Sequence, residues 1–388
     1  MKNMKWSGQQ DKALKDVQAW LKTARRSREM QPVFRLFGYA GTGKTTLARH
    51  MADMVRGEVK FASLSGKAAS VLRSKGCEGA QTIHSLIYRP IEDGSGKIKW
   101  ELRNRDSEKP SELYHASLLI LDEVSMVGDD LAKDLLSFEV PILAIGDPAQ
   151  LPPVEGSGYF THPDIKPDMM LDEIHRQAKG NPIIDMATRV RNGDMLSHGD
   201  YGEGNTVIPR RDYDAIMLGA NQVLCATNAK RQKFNAMIRN NFGVADHIPL
   251  KSDKLICLNN DRENRALLNG TVWYVDEMLQ QTKDQKHGGL LPMLVWNEDD
   301  PDLRARIECF DDMFGIKTNK QMSDFKTKAS QGFHNFDYGY VMTVHKAQGS
   351  QWDNVVIYDD YWGDDSYLKW LYTALTRAAE KVTLIGVR

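Results

Sequence analysis

The chain has 388 residues, 41% hydrophobic and 27% charged, with 51 Lys+Arg against 52 Asp+Glu and a formal net charge of −1. This length holds two or more domains, each with its own core. The near-neutral balance excludes a general polyanion binder, so any nucleic-acid site must be local; no uncharged apolar run approaches the ~20 residues of a membrane span, and the N-terminus lacks an apolar signal core, which reads as a cytoplasmic chain.

In chain order, residues 8–24 carry Ala13, Leu14, Val17, Trp20 and Leu21 at helical spacing. The basic cluster Lys22, Arg25, Arg26 and Arg28 reads as a solvated helix end. Apolar runs at 33–37, 59–64, 117–121 and 142–145 recur between helical segments, which predicts a parallel α/β sheet filling roughly the first 178 residues. One segment breaks that pattern: residues 87–91 and 97–102 flank Glu92-Asp93-Gly94-Ser95-Gly96, as a projecting β-hairpin over 87–103 would. A second α/β block begins near 207, with a strand at 222–227 and a helix at 229–240. Strand-like runs at 254–258, 271–277, 290–296 and 305–310 interrupt it and define a β-rich insertion of about 256–335. Strand-like runs return at 340–344, 354–358 and 381–387, with a helix at 366–379. Cys77, Cys225, Cys257 and Cys309 are scattered with no C-x-x-C pair, so neither a zinc site nor a disulfide framework is indicated.

The chemistry is concentrated in a few runs. Gly38-Tyr39-Ala40-Gly41-Thr42-Gly43-Lys44-Thr45 fits G-x-x-x-x-G-K-[ST] directly after an apolar strand. Glycines let backbone N–H groups curl round phosphates, and the following helix aims its positive end at them. Lys44 would reach the β- and γ-phosphates and Thr45 would ligate Mg²⁺. The strand ending in Asp122-Glu123 offers Asp122 to the metal through water, opposite Thr45, and Glu123 as acceptor of a proton from the attacking water. A third strand ends in Gly146-Asp147-Pro148-Ala149-Gln150, where Gln150 could bond the γ-phosphate or that water. Arg176 and Arg377 are candidates to stabilise charge developing at the γ-phosphate.

These residues carry a family resemblance. In order the chain shows Gln10 in Trp6-Ser7-Gly8-Gln9-Gln10, GYAGTGKTT (38–46), SLSGKAASVLRSK (63–75), TIHSL (82–86), LDEVSM (121–126), IGDPAQLPPV (145–154), DEIHRQ (172–177), VMTVHKAQGSQWDNVVI (341–357) and YTALTRA (372–378). This resembles the superfamily 1 DNA helicases of the RecD and phage Dda type. The resemblance implies an α/β fold of two RecA-like P-loop NTPase domains: 1–86 with 104–178, and 179–255 with 336–388. It further implies a pin hairpin at 87–103 and an SH3-like insertion at 256–335. ATP and Mg²⁺ would be used in the cleft between the domains, with Gln10 recognising adenine and Gly41, Thr42, Gly43, Lys44, Thr45 and Thr46 holding the nucleotide. Gln150 would couple nucleotide to DNA, and Arg176 and Arg377 would be the arginine fingers. Ser65, Lys67, Thr82, His84, Thr343, His345 and Lys346 would contact single-stranded DNA.

The expected activity is ATP-dependent unwinding with 5′→3′ movement. A protein-displacing translocase and a nucleotide-gated DNA-binding subunit stay open as alternatives. The expected partners are single-stranded DNA and its junctions with duplex, with a single-strand-binding or replication protein as a candidate, and the chain is read as a monomer from a bacterial cell or phage-infected host. Two features depart from the pattern. The hairpin tip has no aromatic residue, Trp100 lying further down a flank, and Leu64 stands where many relatives have proline.

Overall fold

The computed structural model describes residues 6–24, 33–92, 98–153, 156–173, 180–211, 213–244, 247–261, 267–280, 282–284, 288–315, 321, 333–363 and 366–386. The chain divides into two compact units, Met1–Gly193 with Leu368–Thr376, and Asp194–Tyr367 with Arg377–Arg388.

In the first unit, the helix α1 (Gly8–Ala24) buries Ala13, Val17, Leu21 and Ala24, a single stripe at helical spacing. Strands β1 (Val33–Gly38), β2 (Val59–Ser63) and β3 (Gln81–Thr82) alternate with helices α2 (Lys44–Asp53), α3 (Gly66–Ser74) and α4 (Ile83–Ile87). A hairpin of β4 (Tyr88–Glu92) and β5 (Ile98–Leu102) leads to β6 (Leu118–Asp122), α5 (Asp129–Leu136), β7 (Ile142–Gly146), β8 (Met169–Leu171) and α6 (Pro182–Arg191). The sheet runs β3-β2-β6-β7-β1-β8, and every pairing in it is parallel. Its central strands are apolar on both faces because helices cover both. Leu118 and Ile120 pack into one core with α1 and α2; Leu119 and Leu121 pack into the other with α4 and α5. The consequence for function is positional. Strands β1, β6 and β7 lie side by side and end together, at Gly38, Asp122 and Gly146.

The hairpin pairs Tyr88 with Leu102 and Arg89 with Glu101, and Trp100 is 56% exposed on it. The expected tip, Asp93-Gly94-Ser95-Gly96, lies outside the described residues.

In the second unit, β9 (Gly199–Gly202) and β10 (Asn205–Ile208) are followed by α7 (Asp214–Leu218), β11 (Gln222–Cys225) and α8 (Asn228–Asn241). Next come β12 (Lys254–Cys257), β13 (Val272–Met278), β14 (Thr282–Asp284), β15 (Gly288–Asn297), β16 (Arg304–Phe310) and β17 (Phe336–Tyr338). The chain closes with β18 (Val341–Thr343), a short helix Val344–Ala347, β19 (Trp352–Tyr358), a helix Tyr367–Leu375 that from Leu368 onward belongs to the first unit, and β20 (Ala378–Ile385) back in the second. One sheet runs β18-β11-β19-β20-β10-β9 and is parallel except for the edge pair β9–β10. Strands β12 to β17 form a separate antiparallel sheet around Trp273, Met293, Ile307 and Phe310. Two buried ion pairs tie α8 to that sheet and its approach, Arg231–Asp337 at 2.9 Å and Arg239–Asp253 at 3.0 Å. Removing one partner of such a pair leaves an uncompensated buried charge.

The helix expected over 366–379 stops at Leu375. Ala378 to Lys381 have good helical propensity, but they pair with β19 instead, from Trp352↔Ala378 to Asn354↔Lys381 and onward. Tertiary pairing overrides the local preference, and Arg377 therefore sits in the link between helix and strand.

Candidate functional site

The phosphate-loop sequence closes a tight turn between β1 and α2. Gly41 (φ 79°) and Gly43 (φ 77°) occupy the left-handed region that a side chain resists. A Cβ on Gly38 would lie 2.7 Å from Thr42 Oγ1 and 2.9 Å from Leu171 Cβ, so only glycine fits where the loop leaves the strand. Thr42 is buried and donates its hydroxyl to the Tyr39 carbonyl at 2.8 Å. Lys44 Nζ donates to the carbonyls of Gly38 (2.7 Å) and Tyr39 (3.0 Å), which holds the ammonium at the mouth of the loop. Thr46 is exposed on the first turn of α2.

Gln10 is packed against this loop. Its Nε2 donates to the Thr42 carbonyl at 3.1 Å, and its Oε1 accepts from Ser7 N at 3.0 Å. One N–H and one lone pair of the amide are left over, enough to read a base edge. Gln9, which the sequence did not single out, has a second tether: its Oε1 accepts from Asp172 N (2.9 Å) and Glu173 N (3.0 Å).

Two carboxylates, Asp122 and Asp147, face Lys44 from neighbouring strand ends, and Glu123 follows Asp122 in the chain. Asp122 Oδ2 accepts from Thr45 Oγ1 at 3.1 Å, and Asp122 Oδ1 from Glu123 N at 2.9 Å. Burial, then the adjacent Glu123 charge, pushes the Asp122 carboxyl up to about 6, while Lys44 pulls it down. Glu123 takes a left-handed backbone (φ 56°, ψ 44°), a strained conformation for a residue with a side chain. Asp147 is 1% exposed and is also shifted upward by burial, against the pull of Lys44. Gln150 is buried, and its Oε1 has no hydrogen-bond partner among the described residues. An unsatisfied buried carbonyl is costly, so this amide is ready to accept from an incoming donor.

The expected DNA contacts divide. Ser65 Oγ accepts from Ala68 N at 3.1 Å and caps α3, while Thr82 Oγ1 accepts from Ser85 N at 3.1 Å and caps α4. His84 is half-buried, with ring centroids 5.5 Å from Tyr88 and 6.3 Å from Trp100, and burial lowers its pKa. Lys67 is 2% exposed, at the packed start of α3. In the second unit Thr343 is buried at the end of β18, and His345 and Lys346 follow it half-buried. Burial lowers the His345 pKa as well. Arg377 is 5% exposed and donates to the Ser350 carbonyl at 3.2 Å. Arg176 lies outside the described residues.

Residues 16–207 match the AAA domain family and residues 338–385 the UvrD-like helicase C-terminal domain family. The chain is 29% identical over 364 residues to the ATP-dependent RecD2 DNA helicase of Deinococcus radiodurans, covering 90% of this chain and 46% of that protein. It is 23% identical to the ATP-dependent DNA helicase Pif1 of Bdellovibrio bacteriovorus, covering 90% of this chain and 83% of that one. Over nearly its whole length the chain is similar to the RecD/Pif1 group of superfamily 1 helicases. Among solved structures, the Pif1 helicase from Candida albicans matches with a TM-score of 0.58 at 19% identity, covering 98% of this chain and 94% of that one. Bacteroides Pif1 bound to ssDNA also gives 0.58, at 18% identity, covering 98% and 92%. The α/β fold is that of two RecA-like domains. The chain spans less than half the length of its RecD2 relative.

Proposed function

We propose that this chain is an ATP-dependent DNA helicase that moves 5′→3′ along single-stranded DNA. The observation that carries the reading is the cluster at the ends of β1, β6 and β7, where Lys44, Thr45, Asp122, Glu123 and Gln150 converge around the phosphate loop. The printed names of the RecD2 and Pif1 relatives support the choice of DNA unwinding as the work that ATP drives.

ATP would lay its phosphates on the N–H groups of Gly41 to Thr46, with Lys44 leaving the Gly38 and Tyr39 carbonyls for phosphate oxygens. Thr45 and Asp122 present hard oxygen donors 3.1 Å apart, and this hydroxyl–carboxylate pair would hold Mg²⁺ together with phosphate and water oxygens. Bound there, Mg²⁺ supplies neutralisation of phosphate charge. Glu123 accepts the proton of the attacking water, and Gln150 orients that water through its unpaired Oε1. Arg176 and Arg377 stabilise charge on the departing phosphates. On DNA, Ser65, Thr82 and His84 in one domain and Thr343, His345 and Lys346 in the other serve as the two grips, the buried hydroxyls acting through their neighbouring backbone. The domain assignment proposed is 1–86 with 104–178 and 179–255 with 336–388, carrying the hairpin 87–103 and the insertion 256–335.

ATP hydrolysis by the isolated chain, with and without single-stranded DNA, tests the enzymatic half of this reading. Stimulation by DNA that disappears in Lys44→Ala is the expected result. Unchanged turnover in that variant would sink the assignment.

A further inference from the structure

The helix Tyr367–Leu375 carries two neighbouring hydroxyls, and both are committed to the nucleotide end of the first sheet. Tyr372 is 2% exposed; its hydroxyl accepts from Ala40 N at 3.0 Å and donates to Asp147 Oδ2 at 2.6 Å. A phenol has a single proton to give, so its donor is spent on the carboxylate and its acceptor on the phosphate-loop amide. The Thr373 hydroxyl accepts from Leu151 N at 2.9 Å and donates to the Lys369 carbonyl at 2.7 Å.

Between these anchors lies the turn that carries Gln150. Asp147 Oδ1 accepts from Ala149 N at 3.0 Å, and the Asp147 carbonyl accepts from Gln150 N at 3.2 Å. The turn is thus held at its start by Tyr372 and just past Gln150 by Thr373. The phosphate loop is held by the same tyrosine, and also at Tyr39, whose ring lies 3.6 Å from the Arg191 guanidinium carbon. Lys44, Glu123 and Tyr372 are the charged and titratable groups that act on the Asp147 carboxylate.

We propose that Tyr372 is a positioning residue for phosphoryl transfer. Its hydroxyl couples the Ala40 amide of the phosphate loop to the Asp147 turn, so that the loop and Gln150 hold a common register. This rests on the ATPase reading above and extends it to a residue that touches no substrate atom. The tenfold loss of turnover expected below corresponds to about 1.4 kcal/mol of barrier.

The test is a double-mutant cycle of Tyr372→Phe and Asp147→Asn, read as kcat and KM for ATP in saturating single-stranded DNA, with a thermal melt of each variant. Tyr372→Phe should lower kcat about tenfold with KM within about threefold. Asp147→Asn should fall similarly, and the double variant should be no slower than the worse single, because both remove the same link. Additive losses, or a raised KM with kcat unchanged, would overturn the proposal and leave Tyr372 a packing residue. Lys44→Ala separates the two levels. Hydrolysis lost in Lys44→Ala but of wild-type rate in Tyr372→Phe overturns this proposal alone. Hydrolysis that survives Lys44→Ala overturns the ATPase reading beneath it.

Discussion

Replacing Glu123 by glutamine should make the protein more stable while disabling it. Burial, with the charge of Glu123 second, lifts the Asp122 carboxyl from 3.8 to about 6. At about 1.4 kcal/mol per unit, keeping Asp122 ionised at neutral pH costs at most about 3 kcal/mol of folding free energy. Glu123 is the smaller of the two raising causes, so its removal should return about 1 kcal/mol, or about 2–4 °C in Tm. Glutamine keeps the left-handed backbone of Glu123 (φ 56°), so the backbone strain cancels in the comparison. The pH sign follows from a folded pKa above the unfolded value. The cost is absent below 3.8 and grows as pH rises through about 6. The gain should therefore be full near about pH 8 and nearly gone near about pH 5, where Asp122 is mostly protonated. Turnover should drop by about 10²–10⁴, the range for losing a positioned general base. Thermal melts of ligand-free wild type and variant at the two pH values, with hydrolysis rates at the higher one, decide the matter. A loss of stability at the higher pH, or an equal gain at both, would refute the electrostatic account of the pair. Unimpaired hydrolysis would refute the base role.

Arg377→Ala should cut turnover by about 10³ while nucleotide affinity stays within a few-fold, as a transition-state contact requires; a rise in KM alone would argue for a binding role. Gly43→Ala places a Cβ at φ +77° and 3.0 Å from Gln10 Nε2. It should cost about 1–2 kcal/mol of stability and raise the KM for ATP, and an unchanged melt and KM would mean the loop is not shaped as described. Affinity for single-stranded DNA should fall as salt rises, since phosphate contacts release counterions. A flat response would undercut the backbone grips at Ser65, Thr82 and Lys346.

What the sequence made legible was local. The phosphate loop, the acid pair after β6 and the apolar strands are contiguous runs whose chemistry and period need no partner to interpret. The hairpin was readable because two extended flanks meet a glycine-rich turn. What depended on distant partners was not. Tyr372 finds Ala40 across 332 positions and Asp147 across 225, and nothing in YTALTRA distinguishes that hydroxyl from a core tyrosine. Lys67 came only from the resemblance, and its burial at the start of α3 depends on packing that the run SGK does not reveal. Ala378 and Ala379 read as helix and became the start of a strand because β19 offers a parallel partner. The short strands β8, β9 and β10, at or next to a sheet edge, were missed for a related reason. They are three or four residues long, too short for a period to declare itself.

Strand separation on matched duplexes bearing either a 5′ or a 3′ single-stranded tail, with ATP and with Lys44→Ala as control, tests the central claim most directly. Unwinding of the 5′-tailed duplex alone, absent in Lys44→Ala, is the predicted result. Unwinding only from the 3′ tail would contradict the proposed direction, and no unwinding from either tail despite brisk DNA-dependent hydrolysis would contradict the helicase assignment itself.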